Sequence, residues 1–292
     1  MQGFPKLPQA AIDLYDEYTH ITLDRRLFLR RLSELVGGTA AAYALLPLLE
    51  ANYAAAAIIE PDDARITSET VSFDGPDGPV SGYLARPSAI IGPLPAVLVI
   101  HENRGLNPHI QDVVRRAAQA GFLAVGPDFL SPAGGTPEDQ DQAREMISAL
   151  DPDATLGNAL SAVAYLKGHE SSTGKVGAMG FCWGGGLANR IATKASDLNA
   201  AVAFYGRVPP AADIANIKAR VLLHYAGLDD RINAGIPEYE AGLKQAGIDY
   251  ELYVYEGVNH AFHNDTAAAR YDKSAADIAW GRTVNFLTSA LA

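Results

Sequence analysis

The chain has 292 residues, of which 48% are hydrophobic and 20% are charged, as in an ordinary globular protein rather than a disordered one. Its 23 Lys and Arg residues and 34 Asp and Glu residues give a formal net charge of −11 at pH 7. Such a charge repels polyanions, so nucleic acid is excluded as an expected partner. The single cysteine excludes an intramolecular disulfide framework and a cysteine-rich zinc module.

Residues 1–60 are expected to form a helical extension ahead of the main domain. A twin arginine in the basic cluster at 24–31, a weakly apolar stretch at 32–49 and the alanines at 54–57 resemble a twin-arginine export signal, which would place the protein in the periplasm. Glu34, the Gly37-Gly38 pair and Pro47 interrupt the apolar stretch. They favour the alternative, an ordered extension packed on a cytoplasmic protein, and stable membrane insertion is not expected because it needs about 20 uninterrupted apolar residues.

Residues 61–292 are expected to form one α/β domain. The segments 70–73 and 80–84 flank a turn-rich segment and predict a hairpin. Further strands are predicted at 96–100, 122–125, 175–179, 200–204, 221–225 and 251–255, and helices at 113–120, 159–166 and 271–291. Alternating strands and helices predict a doubly wound, mostly parallel sheet with helices on both faces. The active site of such a sheet lies at the carboxyl ends of its strands.

The most specific motif lies at residues 180–186, which read Gly-Phe-Cys-Trp-Gly-Gly-Gly between a predicted strand and a helix expected to begin near Leu187. This is the pattern of a nucleophile elbow, with cysteine where serine is more common. The N-terminus of the following helix favours the thiolate of Cys182, and the backbone N–H of Trp183 can point into an oxyanion hole. Cys182 is therefore the predicted nucleophile; an inert buried cysteine is the simpler alternative.

A nucleophile of this kind needs a base and an acid that orients the base, in the chain order nucleophile, acid, histidine. Asp229 follows one predicted strand and His260 follows the next, so both are expected at the carboxyl edge of the sheet. We predict Asp229 as the acid and His260 as the base. Asp230 and His263 stay open as alternatives for these two roles.

The segments 180–185, 228–229 and 259–262, together with His-Glu-Asn-Arg-Gly-Leu at 101–106, resemble the dienelactone hydrolases (carboxymethylenebutenolidases) of the α/β-hydrolase superfamily. The resemblance spans residues 70–291, to within a few residues. It implies an α/β-hydrolase fold and a Cys–His–Asp triad that opens enol lactones through a thioester intermediate. It also implies a small-molecule ester or lactone as the partner, and neither a metal nor an organic cofactor.

The same resemblance gives roles to the loop after the predicted strand 96–100. Glu102 is expected to contact the resting thiol of Cys182 and to take its proton when substrate arrives, and Asn103 to supply the second oxyanion N–H. A carboxylate beside the thiol would keep the resting cysteine largely neutral. A structural ion pair between Glu102 and Arg104 is the alternative.

The chain departs from the family pattern where the substrate carboxylate is bound. Family members carry one arginine shortly after a Pro-Asp-Leu-Tyr segment and another shortly after the catalytic histidine, whereas residues 127–132 and 260–264 here contain none. The natural substrate is therefore not assigned as dienelactone. The candidate substrate-binding residues are the strand-end arginines Arg104, Arg207 and Arg231 and, beside Trp183, the aromatic residues Phe129, Tyr205 and Phe262.

The leading prediction is a hydrolase of small carboxylic esters or lactones. A thiol redox sensor built on Cys182 would need a resolving thiol, and the sequence holds one cysteine. A non-enzymatic binding protein on the same fold would be expected to lack part of the triad, yet each residue type is present. A metal-dependent hydrolase built on His260 and His263 is weakly supported, because these residues match no helical zinc motif. The sequence assigns no oligomeric state.

Overall fold

The computed structural model describes residues 7–20, 23–53 and 57–292, and an eight-stranded sheet lies at the centre of this part of the chain. In chain order the strands are β1 (Ile66–Gly75), β2 (Gly78–Pro87), β3 (Leu94–Ile100), β4 (Leu123–Pro127), β5 (Ser172–Phe181), β6 (Ala200–Phe204), β7 (Arg220–Ala226) and β8 (Tyr250–Tyr255). Their spatial order is β1-β2-β4-β3-β5-β6-β7-β8. The hairpin β1-β2 and the pair β2-β4 are antiparallel, and every other neighbouring pair is parallel, so the predicted mostly parallel sheet is confirmed.

Helices cover both faces of the sheet because its central strands are apolar on both sides. These helices are α4 (Pro108–Gln119), α5 (Gln140–Ser148), α6 (Pro152–Gly168), α7 (Trp183–Lys194), α8 (Asp230–Asn233), α9 (Ile236–Ala246) and α10 (Lys273–Ala290). Successive side chains of a strand point to opposite faces. In β3, Leu98 and Ile100 accordingly share a core cluster with residues of α6, α7 and α9, and Val97 and Val99 share one with residues of α4 and α10.

The predicted helices are present, and three others were not predicted. These three are α5, α8 and α9. Helix α7 begins at Trp183, directly after Cys182, rather than near Leu187, because the three glycines that follow Trp183 are themselves helical.

The N-terminal extension contains three helices among its described residues, α1 (Gln9–His20), α2 (Arg25–Val36) and α3 (Thr39–Leu49). Helix α2 begins after Asp24, whose side chain caps it, and ends at Gly37 with φ 84°. Aromatic and leucine side chains form a separate small core, in which Tyr18 stacks on Phe28 with ring centroids 4.5 Å apart. Part of the alanine-rich segment at 54–57 lies outside the described residues.

No single helix within the described ranges is long and apolar enough to cross a bilayer. Helices α2 and α3 together have sufficient length and apolar character, but they are bent by 110° at their junction.

The extension is joined to the main domain along the carboxyl edge of the sheet. Arg144 of α5 donates a hydrogen bond to the main-chain oxygen of Tyr18, 2.9 Å away, and its guanidinium lies 4.4 Å from the centroid of the Tyr18 ring. At Ile59, the main-chain N–H donates a hydrogen bond to Asp112 and the main-chain oxygen accepts one from Arg115, both at 2.7 Å. Asp112 and Arg115 are buried side chains of α4. These contacts place α1 over the ends of the central strands.

Candidate active site

Cys182 occupies a strained turn between β5 and α7. Its φ of 54° lies in the left-handed region, which non-glycine residues rarely adopt. A Cβ on Gly180 would lie 2.0 Å from the main-chain oxygen of Gly184, and one on Gly184 would lie 2.4 Å from that of His101. The two glycines therefore let strand, turn and helix pack closely enough to hold the thiol at the edge of the sheet.

Asp229 and His260 come together from the loops after β7 and β8. Asp229 Oδ2 lies 2.5 Å from His260 Nδ1, and both side chains are buried. The other oxygen of Asp229 accepts a hydrogen bond from the N–H of Ile232 and so caps α8. Because His260 Nδ1 faces a carboxylate, the proton of a neutral His260 resides on Nδ1, and Nε2 is the nitrogen left to face the sulfur.

The two alternatives considered for these roles lie elsewhere. Asp230 is exposed at the start of α8. His263 is buried beneath the site, where its ring stacks on Phe181 at 5.0 Å. Burial, with the nearby charge of Arg116, holds the pKa of His263 well below its ordinary value, so it stays neutral.

A second histidine, His20 at the end of α1, reaches the sulfur. Its Nε2 lies 3.1 Å from Cys182 Sγ, and its ring meets that of His260 edge to face at 4.4 Å. Its Nδ1 lies 3.1 Å from Asp16 Oδ1, 2.9 Å from Thr19 Oγ1 and 3.0 Å from the main-chain oxygen of Asp16. The thiol is thus flanked by two imidazoles, each held by its own aspartate.

Asp16 is surrounded by cationic groups. Besides His20, Arg231 lies 3.5 Å from Asp16 Oδ2 and Arg270 lies 3.7 Å from Asp16 Oδ1. Burial alone would raise the pKa of Asp16, but His260, His20 and Arg270 outweigh it and hold that pKa far below its usual range. Asp16 is therefore ionised and fixes a negative charge behind His20.

These charges control the ionisation of the thiol. Burial alone would raise the pKa of Cys182, yet His20 and His260 outweigh burial and lower it to about 6. Burial would lower the pKa of both histidines, but Cys182 and the aspartates raise the pKa of His20 and raise that of His260 well above its ordinary value. The charges around the sulfur therefore favour the thiolate, whereas the sequence led us to expect a largely neutral resting thiol.

Glu102 and Asn103 lie beside the thiol, but their hydrogen bonds differ from those expected. Glu102 Oε2 accepts a bond of 2.6 Å from Asn264, and its Oε1 accepts one of 3.4 Å from the hydroxyl of Tyr205. Among the described residues, the hydrogen bond at Cys182 Sγ comes from His20, not from Glu102. The alternative, an ion pair between Glu102 and Arg104, is not formed in the described part of the chain either, since Arg104 bonds to Asn103 instead.

Cys182 borders two cavities of very different size. On the side of Glu102 and Arg104, residues of the extension leave a space of only about 20 Å³. On the other side a cleft of about 1040 Å³ opens to solvent. Of the predicted substrate-binding residues, those on the wall of this cleft are Trp183, Tyr205, Arg207 and Arg231.

Two predicted substrate contacts need correction, and a third is engaged by other groups. Phe129 and Phe262 are fully buried in the two core clusters, because they point beneath the loops that carry them, and they do not border either cavity at Cys182. Arg231 is engaged by Asp16 and lies 3.9 Å from Asp229 Oδ1. Its charge is therefore already balanced by two carboxylates.

Two groups of side chains are close enough to hold a metal ion by distance alone. Ligand atoms of His20, Cys182 and His260 lie within 4.8 Å of one another, as do those of Asp16, Asp229 and His260. Within these groups, His20 Nε2 bonds to Cys182 Sγ and His260 Nδ1 bonds to Asp229, so the side chains also fit an acid–base cluster.

His20, Asp16 and Arg270 were not predicted as site residues from the sequence. His20 and Asp16 are four residues apart, the spacing that brings an imidazole and a carboxylate to one face of a helix. That spacing was a usable signal for a paired histidine. It could not show that α1 packs against a turn 162 residues away.

Known proteins support this assignment of fold and class. The sequence model of the dienelactone hydrolase family matches residues 80–291. The chain belongs to the dienelactone hydrolase family, as its motifs predict, and the predicted α/β-hydrolase fold is confirmed.

Three relatives illustrate the range of similarity. The "Putative carboxymethylenebutenolidase" of Saccharolobus solfataricus is 34% identical over 257 residues, covering 74% of this chain and 96% of that protein. The "Putative hydrolase fragment YghX" of Escherichia coli is 48% identical over 113 residues, covering 38% of this chain and 97% of that protein. The solved "Putative Dienelactone Hydrolase" of Klebsiella pneumoniae has 27% identity and a TM-score of 0.70, covering 76% of this chain and 98% of that one.

Proposed function

We propose that this protein hydrolyses small carboxylic esters or lactones through a thioester on Cys182, with His260 as the acid and base and Asp229 as its orienting partner. The observation that carries the proposal is the position of Cys182. Its thiol lies on a strained strand-to-helix turn beside a histidine that is bonded to a buried aspartate at 2.5 Å. This is the arrangement that nucleophilic acyl transfer requires.

In the acylation step the Cys182 thiolate attacks the carbonyl carbon and forms a carbon–sulfur bond. The carbonyl electrons move to oxygen and give a tetrahedral oxyanion. When this collapses, the bond to the alkoxy oxygen breaks, and protonated His260 gives its Nε2 proton to that oxygen. The products are a thioester and an alcohol, which stays tethered to the acyl group when the substrate is a lactone.

Deacylation reverses the roles. Neutral His260 takes a proton from water through Nε2, and the water oxygen attacks the thioester carbon. The carbon–sulfur bond then breaks, which releases the carboxylic acid and restores the thiolate next to protonated His260. Asp229 remains ionised throughout, because its pKa lies below the usual range despite burial, owing to His260. It stabilises the imidazolium in both steps.

The oxyanion is proposed to receive two main-chain N–H groups. One belongs to Trp183, the first residue of α7, where the free N–H groups and the positive end of the helix dipole favour negative charge. The other is that of Asn103, on the loop after β3. The indole of Trp183 stacks on His101 with ring centroids 5.2 Å apart, which fixes the edge of the cleft next to the sulfur.

The cleft is large enough to admit a small ester or lactone, and its lining suits a substrate with an apolar portion. A volume of about 1040 Å³ exceeds what a monocyclic lactone needs. Trp183 and Tyr205 offer aromatic surface near the sulfur, and Arg207 is an exposed cation on the same wall. We assign to Arg207 the contact with an anionic substituent of the substrate.

A panel of small p-nitrophenyl esters and lactones tests the proposal with wild-type protein and the variant Cys182→Ala. We expect the variant to retain less than about 1% of the wild-type turnover, since its nucleophile is gone. Cys182→Ser should keep the fold and lose most activity, because an alcohol needs much stronger base assistance than a thiol. The exposed variant Asp230→Asn is the control. Equal turnover by wild type and Cys182→Ala would rule out the proposed mechanism.

A further inference from the structure

Helix α1 contributes a side chain to a site that the main domain would otherwise complete alone. His20 is the last residue of α1, and its Nε2 lies 3.1 Å from the sulfur of Cys182. His260 Nε2, by comparison, has no hydrogen-bond partner among the described side chains. The closest polar contact of the sulfur in this part of the chain therefore comes from the extension.

The tautomer of His20 follows from its surroundings. Its Nδ1 faces the carboxylate of Asp16, the hydroxyl of Thr19 and a main-chain oxygen, so Nδ1 carries a proton. In neutral His20 the lone pair of Nε2 then points at the sulfur and can accept the thiol proton. After that transfer the ring is an imidazolium, whose Nε2–H donates to the thiolate.

The end of α1 is held in place from two sides. Asn103, on the loop after β3, donates a hydrogen bond to the main-chain oxygen of Thr19 at 2.9 Å. Arg144 donates to the main-chain oxygen of Tyr18, also at 2.9 Å. Tyr15 and Tyr18 are themselves buried in the small core of the extension. His20 is thus positioned by packing rather than lying freely over the cleft.

We propose that His20 is a further catalytic residue of this site: as an imidazolium paired with Asp16, it holds Cys182 as a thiolate and leaves His260 free to move protons. The inference deepens the proposed function and rests on it for the role of His260. It also gives the N-terminal extension a function, because α1 delivers the cation.

A division of work between the two histidines has a clear chemical reason. His260 alternates between its neutral and its protonated form during turnover, so it cannot balance the negative charge on the sulfur at every stage of the cycle. An imidazolium at His20 can, since its proton is retained by Asp16. The same N–H stabilises the nucleophile before acylation and the leaving thiolate afterwards.

Charged groups around His20 come from several elements, and all bear on its titration. They are Asp16 on α1, Cys182 at the turn before α7, His260 on the loop after β8, Arg231 and Arg270 beside Asp16, Asp229 beside His260, and Glu102 and Arg104 across the small cavity. The carboxylate of Asp16 is the nearest anion apart from the sulfur. The raised pKa of His20 agrees with this balance.

The pH dependence of Cys182 alkylation tests the proposal without relying on turnover. Cys182 is the only cysteine in the chain, so intact mass after reaction with iodoacetamide reports on this sulfur alone. We expect the alkylation midpoint of the wild-type protein near pH 6. In His20→Gln it should rise by about one unit or more, the effect of removing a cation at hydrogen-bond distance.

Two further variants complete the experiment. Asp16→Asn keeps the imidazole but removes its carboxylate, and it should raise the midpoint by a smaller amount, which keeps the test valid if His20→Gln folds poorly. Glu17→Gln breaks the exposed ion pair between Glu17 of α1 and Arg31 of α2, and should leave the midpoint unchanged. Melting temperatures of all variants are recorded in parallel.

An unchanged midpoint in both His20→Gln and Asp16→Asn would overturn the proposal. The proposal would also fail if His20→Gln kept the wild-type midpoint but showed a faster limiting rate of alkylation, because His20 would then only shield the sulfur from the reagent. Acyl trapping on Cys182 in the same samples separates the two claims. A shifted midpoint without an acyl adduct would remove the proposed hydrolysis and leave the His20–Cys182 ion pair standing.

Discussion

Asn264 donates a hydrogen bond of 2.6 Å to the carboxylate of Glu102, and both side chains are buried. This bond, with that from Tyr205, holds Glu102 in the wall of the small cavity beside Cys182. We therefore propose that Glu102 acts on the thiol through its charge, since the hydrogen bond of the sulfur in the described residues is with His20. An anion in this position opposes the thiolate, whereas His20 and His260 favour it.

Glu102→Gln should consequently lower the alkylation midpoint of Cys182, the opposite direction to His20→Gln. The glutamine oxygen can still accept from Asn264, so we expect the free energy of unfolding to change by no more than about 1 kcal/mol. Iodoacetamide alkylation against pH and a urea titration of the same samples measure both quantities. An unchanged midpoint with a large loss of stability would make Glu102 a purely structural residue.

Asp229→Asn should reduce turnover by about two to four orders of magnitude, since an amide neither fixes the tautomer of His260 nor stabilises its cation. Asparagine caps helices as well as aspartate does, so α8 should remain intact. The matched control is Asp230→Asn, the exposed neighbour. Steady-state kinetics and melting temperatures distinguish the two; greater loss in Asp230→Asn would show that the acid is assigned one residue too early.

Arg207 is the proposed contact for an anionic substituent of the substrate. Arg207→Gln should raise KM by about 2- to 5-fold for esters that carry a carboxylate and leave KM for neutral esters unchanged, as for a partly solvated ion pair. Arg190→Gln is the control, because Arg190 borders the same cleft but is paired with Asp153 at 3.1 Å. Equal changes for charged and neutral esters would remove Arg207 from the binding site.

Acid sensitivity should arise in part from His224, far from the thiol. Burial, aided by the charge of Arg282, lowers the pKa of His224 to about 3, and its two ring nitrogens bond to Tyr255 at 2.9 Å and Thr283 at 3.0 Å. The imidazole of His224 is neutral in the folded protein, whereas in the unfolded chain its pKa is about 6.5. Its stabilising contribution is thus complete above about pH 6.5 and is lost progressively as the pH falls toward 3.

Urea titrations at pH 7, 5 and 4 test this contribution. The free energy of unfolding of the wild-type protein should decline over that range more steeply than that of His224→Gln, which cannot take up a proton. Parallel declines would assign the acid sensitivity to other groups, such as His263.

The positions of the proposed triad residues at one edge of the sheet could be predicted from the sequence, because they depend only on which strand each residue follows. Cys182, Asp229 and His260 each lie in the turn or loop that follows a parallel strand, and the carboxyl ends of parallel strands meet at one edge of the sheet. The aromatic residues Phe129 and Phe262 also follow strands, yet they point into the core. Direction of a loop side chain depends on packing that the strand pattern does not encode.

The contribution of α1 could not be predicted for a related reason. His20 does not follow a strand; it lies in the N-terminal extension, whose basic cluster resembles an export signal. The spacing of Asp16 and His20 shows that they share a helix face, but only tertiary packing brings that face to Cys182. A helix outside the repeating βαβ units has no position fixed by topology.

Acyl trapping tests the central claim most directly. The wild-type protein is mixed with a slowly hydrolysed ester, quenched in acid within the first turnover and digested, and the peptides are analysed by mass spectrometry. The account predicts the added mass of the acyl group on the peptide that contains Cys182, and no such mass in Cys182→Ala. An acyl group found only on another residue, with turnover intact, would contradict it.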